Sequence, residues 1–348
     1  MNKFTVLFAT ALLAASAFST AARAGDELTV TSWGGAYSES QHKAFIVPYI
    51  AAGNKVTEAE YNGEVAKIKA MVEAKSITWD VIDADTATAM QGCAEGALES
   101  IDWKKAGLDR SKFIGGDLMD CAVPNIVYGT VFGYDTTKIA NGPTTINDFF
   151  DTTKFPGKRG MQKNPTVNLE WALIADGADA KDVYKLLATA EGVARAFKKL
   201  DTIKKDIVFW ESGAQAPQLL ADGQVVMTSA WNGRLQGAID KDKKTFKIVW
   251  DHQGLDWDWW TITKGTPKID AAYRFINFAS QPAAMAEQTK YIAYGPANRD
   301  AIPNVAPATL PNLPTAPDNL KTAFNVDPHF WADHGDELKE KFNAWLAK

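Results

Sequence analysis

ELTVTSWGGAYSESQHKAFIVPYIAA, residues 27 to 52, contains the whole grammar of the chain in one stretch. ELTVTSW alternates as a strand does and stops at Gly34-Gly35, a pair that turns the backbone. SESQHKAFIVPYIAA then spaces its apolar residues for one buried helical face, with Ser38 as candidate cap. A strand that ends in a glycine turn ahead of a helix start is a place where open α/β sheets bind ligands. The pattern recurs. NKVTEAEY reads as a second strand, EVAKIKAMVEAK as a second amphipathic helix, and WDVIDAD as a third strand ending in acids. Strands alternating with helices predict an α/β fold with a mostly parallel sheet covered on both faces.

Further on, PNIVYGTVFGYDTT is apolar and studded with glycine, which suits a crossing between lobes. A second α/β set follows: strand GKRGMQK, helix NLEWALIADG, helix DVYKLLATAEGVARAFKKLDTI, strand DIVFW, helix QAPQLLADG, strand QVVMTSAW, helix NGRLQGAIDKD and strand FKIVW. The stretch from Trp257 through TITKG reads as the return crossing, a Pro-rich loop covers 302 to 317, and a last helix runs from Asp336 to Ala347. No solenoid-period repeat is present. Two α/β lobes with more than one crossing describe a clamshell with a hinge. The expected division is residues 25–133 plus 260–305 for one lobe and 134–259 plus 306–348 for the other.

The first 24 residues carry Lys3, the apolar run FTVLFATALLAASAF and the small-x-small site Ala22-Arg23-Ala24, the pattern of a cleaved secretory signal peptide. The run is too short and too diluted with Ser and Thr for a membrane anchor, which takes roughly 20 apolar residues. About 324 residues then remain, enough for two domains. A net charge of −5 with no long basic run argues against nucleic acid as a partner. Export makes Cys93 and Cys121 candidates for a disulfide, the alternative being two buried thiols. Neither belongs to a CxxC pair and no histidine is near in sequence, so a metal site is not indicated, and no cofactor is expected.

Five segments together resemble a periplasmic solute-binding protein of an ABC importer, in the spermidine/putrescine-binding branch. They are WDVIDADTATAM (79–90), IVYGTVFGYDTTKI (126–139), PTTINDFFDTTKFPGKRG (143–160), QLLADGQVVMTSAWNGR (218–234) and RFINFASQPAAMAEQTKYIAYGPANRDA (274–301). The resemblance spans nearly the whole exported chain. It implies a type II-like clamshell, a ligand buried between the lobes, a monomer, and delivery to an inner-membrane permease.

Polyamine binders of that family meet ammonium groups with carboxylates and lay the methylene chain on aromatic rings, since a buried cation needs a counter-charge or a π face. Here Trp231 stands at the family's "W-N-G" tryptophan, and Trp257 with Asp258 is similar to its later "W-x-D" element, with Asp256 as the other candidate acid. Trp33 and Tyr37, on the first glycine turn, offer further ring surface, and Tyr294 lies in a "Y-x-P-x-N" turn. Core packing is the expected role of Trp103, Trp171, Trp250 and Trp331.

The departures carry more information. NPTVN (164–168) lacks the second-lobe carboxylates of polyamine binders, paired tyrosines give way to Ala87 and Thr88, and Asp85 replaces a small residue. Arg234 follows "W-N-G", where a small residue is usual. A guanidinium repels a polycation but can grip a carboxylate with two parallel hydrogen bonds. The bland alternative is an exposed arginine at a helix start, paired with Asp240. The favoured ligand is therefore a small zwitterion such as γ-aminobutyrate, with Arg234 on the carboxylate and Asp85, Asp256 or Asp258 on the amine.

Three rivals remain. A true polyamine binder requires Arg234 to face away from the cleft. A ferric-ion binder would use Tyr291 and Tyr294, which lack a nearby histidine or acidic cluster. A secreted hydrolase would need a catalytic motif, and neither GxSxG nor HExxH occurs, while His42, His252, His329 and His334 are scattered.

Overall fold

The structure is a computed structural model that describes residues 27–115 and 119–348. The stretch read as a signal peptide lies outside the described residues. Eight principal strands make one twisted sheet: β1 (Glu27–Ser32), β2 (Lys55–Glu60), β3 (Val81–Asp85), β4 (Ala122–Asp135), β5 (Arg159–Gln162), β6 (Ile207–Trp210), β7 (Met227–Trp231) and β8 (Phe246–Ile262). Their order is β2-β1-β3-β8-β4-β7-β5-β6. The short pairs β9 (Gly295–Pro296) and β10 (Phe324–Asn325) attach to β4 and β8.

Among the eight principal strands, parallel pairing is confined to the two ends, β2/β1/β3 and β7/β5/β6, and the short β10 adds one parallel pairing to β8. The middle is antiparallel: β3 against β8, β8 against β4, and β4 against β7. Each parallel triplet is the sheet of one lobe, and the two long strands β4 and β8 belong to both. The expected clamshell is therefore built on a shared antiparallel ribbon.

Five clusters of buried side chains follow this division. Leu28, Phe45, Trp260 and Phe275 belong to a cluster on one side of the first-lobe sheet. Ile82, Ala84, Trp257 and Trp259 belong to another. In the second lobe, Trp171, Leu200 and the C-terminal helix residues Trp331, Phe342 and Trp345 form one core, and Trp210, Leu235 and Ile248 a second. Between the lobes lies a small aromatic group around Tyr37, Ile126, Ile292 and Tyr294. Trp171 and Trp331 are buried and Trp103 and Trp250 half-buried in these clusters, in line with their expected core roles.

The lobe boundary differs from the sequence reading in two places. The return crossing lies earlier than Trp257: Phe132 pairs with Val249 and Thr130 with Gly254, so Trp250 to Gln253 bulge opposite Val131. His252 has a φ of 52° at this bulge, where its carbonyl accepts a hydrogen bond from the Trp171 indole at 2.7 Å. Leu255, Trp257 and Trp259 consequently pack in the first lobe. The Pro-rich segment also begins there, because Val305 and Leu313 join the first-lobe core before Phe324 enters the second. The aromatic run 257–260 had suggested a boundary, but alternation within a single strand explains it better.

Helix limits shift for local reasons. Ser38 is not the cap of the first helix, which already begins at Gly35; its hydroxyl accepts from the Gly34 N–H at 2.8 Å. The expected single helix 182–203 divides into Val183–Leu187 and Ala190–Asp201, because Thr189 caps the second piece by accepting from the Gly192 N–H. The last helix starts at Pro328, with Asp327 accepting from His329 and Phe330. It packs on its own lobe and also on the first-lobe helix Thr86–Ala94, so the lobes are closed on each other. Cys93 and Cys121 form a disulfide that ties the end of that first-lobe helix to the start of β4.

Candidate ligand site

β1, β3 and β7 deliver their C-terminal ends to one place, the crevice that open α/β sheets present to ligands. Trp33 follows β1, Asp85 ends β3, and Trp231 ends β7. Together with Tyr37, Tyr128, Arg234, Asp258 and Tyr294 they line a small cavity between the lobes.

Trp231 puts its ring edge-on to Trp33 at 6.3 Å and to Tyr128 at 6.2 Å. Asn232 and Gly233 open the helix Asn232–Asp240. The fully buried Asn232 amide accepts from the Gly129 N–H at 3.0 Å and donates to the Ala293 carbonyl at 2.6 Å, which fastens the helix start to both crossing segments. A Cβ on Gly233 would come within 2.6 Å of the Tyr294 ring, so only glycine lets that ring reach the cavity.

Arg234 is 4% exposed. That excludes the exposed alternative, and Asp240 instead accepts from Gln236 at 3.0 Å. The guanidinium sits 5.9 Å from the ring centres of Tyr37 and of Trp231. Its Nη2 donates to the Gly34 carbonyl of the first lobe at 3.0 Å, while Nε and Nη1 have no hydrogen-bond partner. Buried donors without partners cost about 1–3 kcal/mol each, more when charged. This arginine is therefore built for an acceptor it does not find in the protein.

Opposite it stand the acids. Asp85 and Asp258 are register partners across β3 and β8, so their side chains share one sheet face. Burial raises both carboxyls above the usual range, and for Asp258 the charges of Asp83, Asp85 and Asp256 add to the effect. Asp85 is already half engaged, capping its helix by accepting from the Thr88 N–H at 2.7 Å. Asp256 does not line the cavity: it accepts from the Thr86 hydroxyl, the Trp257 N–H and the Tyr128 hydroxyl. Burial raises it to about 7. Asp258 remains as the acid that faces the cavity most freely.

Trp257 does not line the cavity either. Since side chains alternate along β8, a strand that turns Asp258 toward the cleft turns Trp257 away, into the first-lobe core. Its expected place is taken by Tyr128, which the sequence reading missed. Tyr128 lies in the crossing strand β4, with its ring 6.3 Å from Tyr294 and its hydroxyl donating to Asp256 at 3.1 Å. The only signal was a tyrosine beside glycine in IVYGTVFGY. Tyr291 and Tyr294 do not form a pair, for Tyr291 packs against the first-lobe core and donates to Glu287 at 3.2 Å. The NPTVN segment supplies no cavity residue.

Residues 53–315 match the family of bacterial extracellular solute-binding proteins. The chain belongs to that family. This solute-binding protein is 43% identical, over all of its own length and 99% of the relative, to the gamma-aminobutyric acid-binding protein of Pseudomonas aeruginosa. Among solved structures, the PBP MotA from A. tumefaciens B6 in complex with glucopine is 34% identical with a TM-score of 0.85, covering 92% of this chain and 99% of that one. A GABA receptor structure is 34% identical with a TM-score of 0.82 over 93% and 98%. PotD of Streptococcus pneumoniae, at 15% identity and a TM-score of 0.68 over 92% and 99%, shares the fold. The solute-binding protein thus belongs to a family of ligand-capturing proteins and is not an enzyme, as the sequence led us to expect, and the hydrolase reading falls away.

Proposed function

We propose that this solute-binding protein captures a zwitterionic ω-amino acid of the γ-aminobutyrate class in the periplasm and hands it to a membrane permease. The observation that carries the reading is Arg234, buried with Nε and Nη1 unpartnered across a cavity from Asp258 and Asp85. A ligand carboxylate supplies an acceptor for an unpartnered nitrogen of Arg234 together with the second N–H of Nη2, its ammonium meets Asp258, and the short methylene chain lies among Trp33, Tyr37, Tyr128 and Trp231. The relatives that bind γ-aminobutyrate agree with this choice.

Capture proceeds by closure. A ligand that lands on one lobe gains the contacts of the other only when the cleft shuts, and that difference drives the equilibrium toward the closed form. Closure also excludes water, which strengthens both charge pairs.

The test is a calorimetric titration of stripped protein with γ-aminobutyrate, putrescine, spermidine and glucopine at one salt concentration. We expect γ-aminobutyrate to bind tightly and the diamine and triamine not to bind. Tight putrescine binding without γ-aminobutyrate binding would overturn the reading, and a preference for glucopine would move the ligand class to that of the MotA complex.

A further inference from the structure

Behind the cavity wall lies a carboxylate that ligand capture as described does not use. Asp83 precedes Asp85 by two residues on β3, so both point to the same sheet face, but Asp83 is fully buried and does not reach the cavity. Three donors converge on its Oδ2: the Tyr37 hydroxyl at 2.8 Å, the Asn125 amide at 3.0 Å and the Gln41 amide. Oδ1 has no partner at all. Tyr37, by contrast, does line the cavity, and its hydroxyl stands beside Asp258 as well. A phenol has a single proton to donate. Two buried carboxylates thus compete for one hydroxyl.

We propose that Asp83 is a positioning residue for the ammonium half of the site: it shares the Tyr37 hydroxyl with Asp258, and arrival of the ligand's ammonium drives one proton off this group into solvent. The inference rests on the function proposed above. Its physical basis is charge crowding. Asp83, Asp85, Asp256 and Asp258 lie close enough to oppose one another's ionisation, and the cation that lines the same cavity is Arg234. Tyr61 donates to the Asp83 carbonyl and Tyr294 faces Arg234, and both phenols stay protonated because burial pushes them up. Like charges in a dry site cannot all ionise, so the empty site holds a proton. Burial raises Asp83 to about 7, against the three hydrogen bonds that pull it down.

An ammonium docked on Asp258 reverses the balance. The carboxyl proton leaves for the buffer, the carboxylate pairs with the ammonium, and Tyr37 bridges the ionised pair. Affinity then rises with pH until the empty site is itself ionised. With a midpoint near 7, one released proton corresponds to roughly a tenfold gain in affinity between pH 6 and pH 8.

The experiment is calorimetry of the full chain with γ-aminobutyrate in two buffers of different ionisation enthalpy, across pH 5.5 to 8.5, for wild type, Asp83→Asn and Tyr37→Phe. We expect the wild type to release between half a proton and one proton per ligand near pH 7. Asp83→Asn takes away the carboxyl whose midpoint lies near 7, so proton release near neutrality should largely disappear; Tyr37→Phe removes a donor and moves the midpoint higher. A merely structural role would weaken binding in both variants and leave the midpoint where it was. Alongside, a carbon-13 titration of the aspartate carboxyls in ligand-free wild type must find at least one group with a midpoint near neutrality. Binding without proton release, midpoints that do not move, or cavity carboxyls that all titrate below pH 5 would overturn the proposal. If γ-aminobutyrate does not bind, the proposed function fails, and the carboxyl titration still decides whether the empty site stores a proton.

Discussion

Arg234 of the second lobe donates to the carbonyl oxygen of Gly34 in the first at 3.0 Å, so the side chain that awaits a carboxylate also bridges the cleft. Gly34 and Gly35 make this possible with φ of 70° and 56°, and a Cβ on Gly35 would lie 3.1 Å from Nη1. One guanidinium thus senses two things at once: whether an anion is present and whether the lobes have met.

Replacing Arg234 by lysine keeps a charge but loses the planar fork. A lysine ammonium can reach the anion or the Gly34 carbonyl, and it cannot offer two parallel donors to the first while holding the second. Removal of a partner from a desolvated charge pair costs about 2–5 kcal/mol. Calorimetry should therefore find R234A weakened for γ-aminobutyrate by at least thirtyfold, with R234K only partly restored. Equal affinity of R234K and wild type would remove the two-pronged grip.

The acids should separate by readout. Asp258→Asn removes the carboxylate that lines the cavity, and γ-aminobutyrate affinity should fall by roughly 2–5 kcal/mol with little change in melting temperature. Asp256→Asn acts on a group already held by Thr86, Trp257 and Tyr128. It should alter thermal stability more than affinity, by about 1–3 kcal/mol. The reverse pattern would assign the ammonium to Asp256.

The parts of this site that are written locally were legible in the sequence. The strand, glycine pair and helix of residues 27–52 predicted a ligand-bearing turn, and the WNGR segment predicted a ring and a cation next to each other. What escaped notice depends on partners far along the chain. Tyr128 looks like any tyrosine in an apolar strand until β7 and Tyr294 are packed beside it. Trp257 could have been excluded from the sequence alone, since strand alternation sets it opposite to Asp258. The same rule applied to VIDAD puts Asp83 under Asp85. The lobe boundary could not be read this way, because a bulge at Trp250–Gln253 is fixed by the Trp171 indole and by Thr322 from distant segments.

The disulfide between Cys93 and Cys121 closes a 28-residue separation. A loop of that size restricts the unfolded chain enough to contribute about 3.6 kcal/mol. The double variant C93A/C121A should lose a comparable amount in denaturant unfolding and keep its ligand affinity, since neither cysteine lines the cavity. An affinity loss larger than tenfold would mean that the bridge also holds the helix capped by Asp85 in place.

Glu170 is a fully buried acid that does not line the cavity. Its Oε1 accepts from the Trp331 indole at 2.9 Å and the Tyr184 hydroxyl at 3.1 Å, while Oε2 has no partner. Burial outweighs these bonds and raises the carboxyl to about 7 from an ordinary 4.5. Because the folded state binds this proton more tightly than the unfolded chain does, its stabilising effect is complete below about pH 4.5 and is lost as pH rises through 7. The loss is on the order of 3 kcal/mol and falls on the docking of the C-terminal helix, which carries Trp331. Glu170→Gln keeps the shape and cannot ionise, so its stability should decline less than that of wild type between pH 5 and pH 8. Denaturant melts of both proteins at those two pH values measure the difference, and parallel declines would show that Glu170 ionises in the folded protein as it does in the unfolded chain.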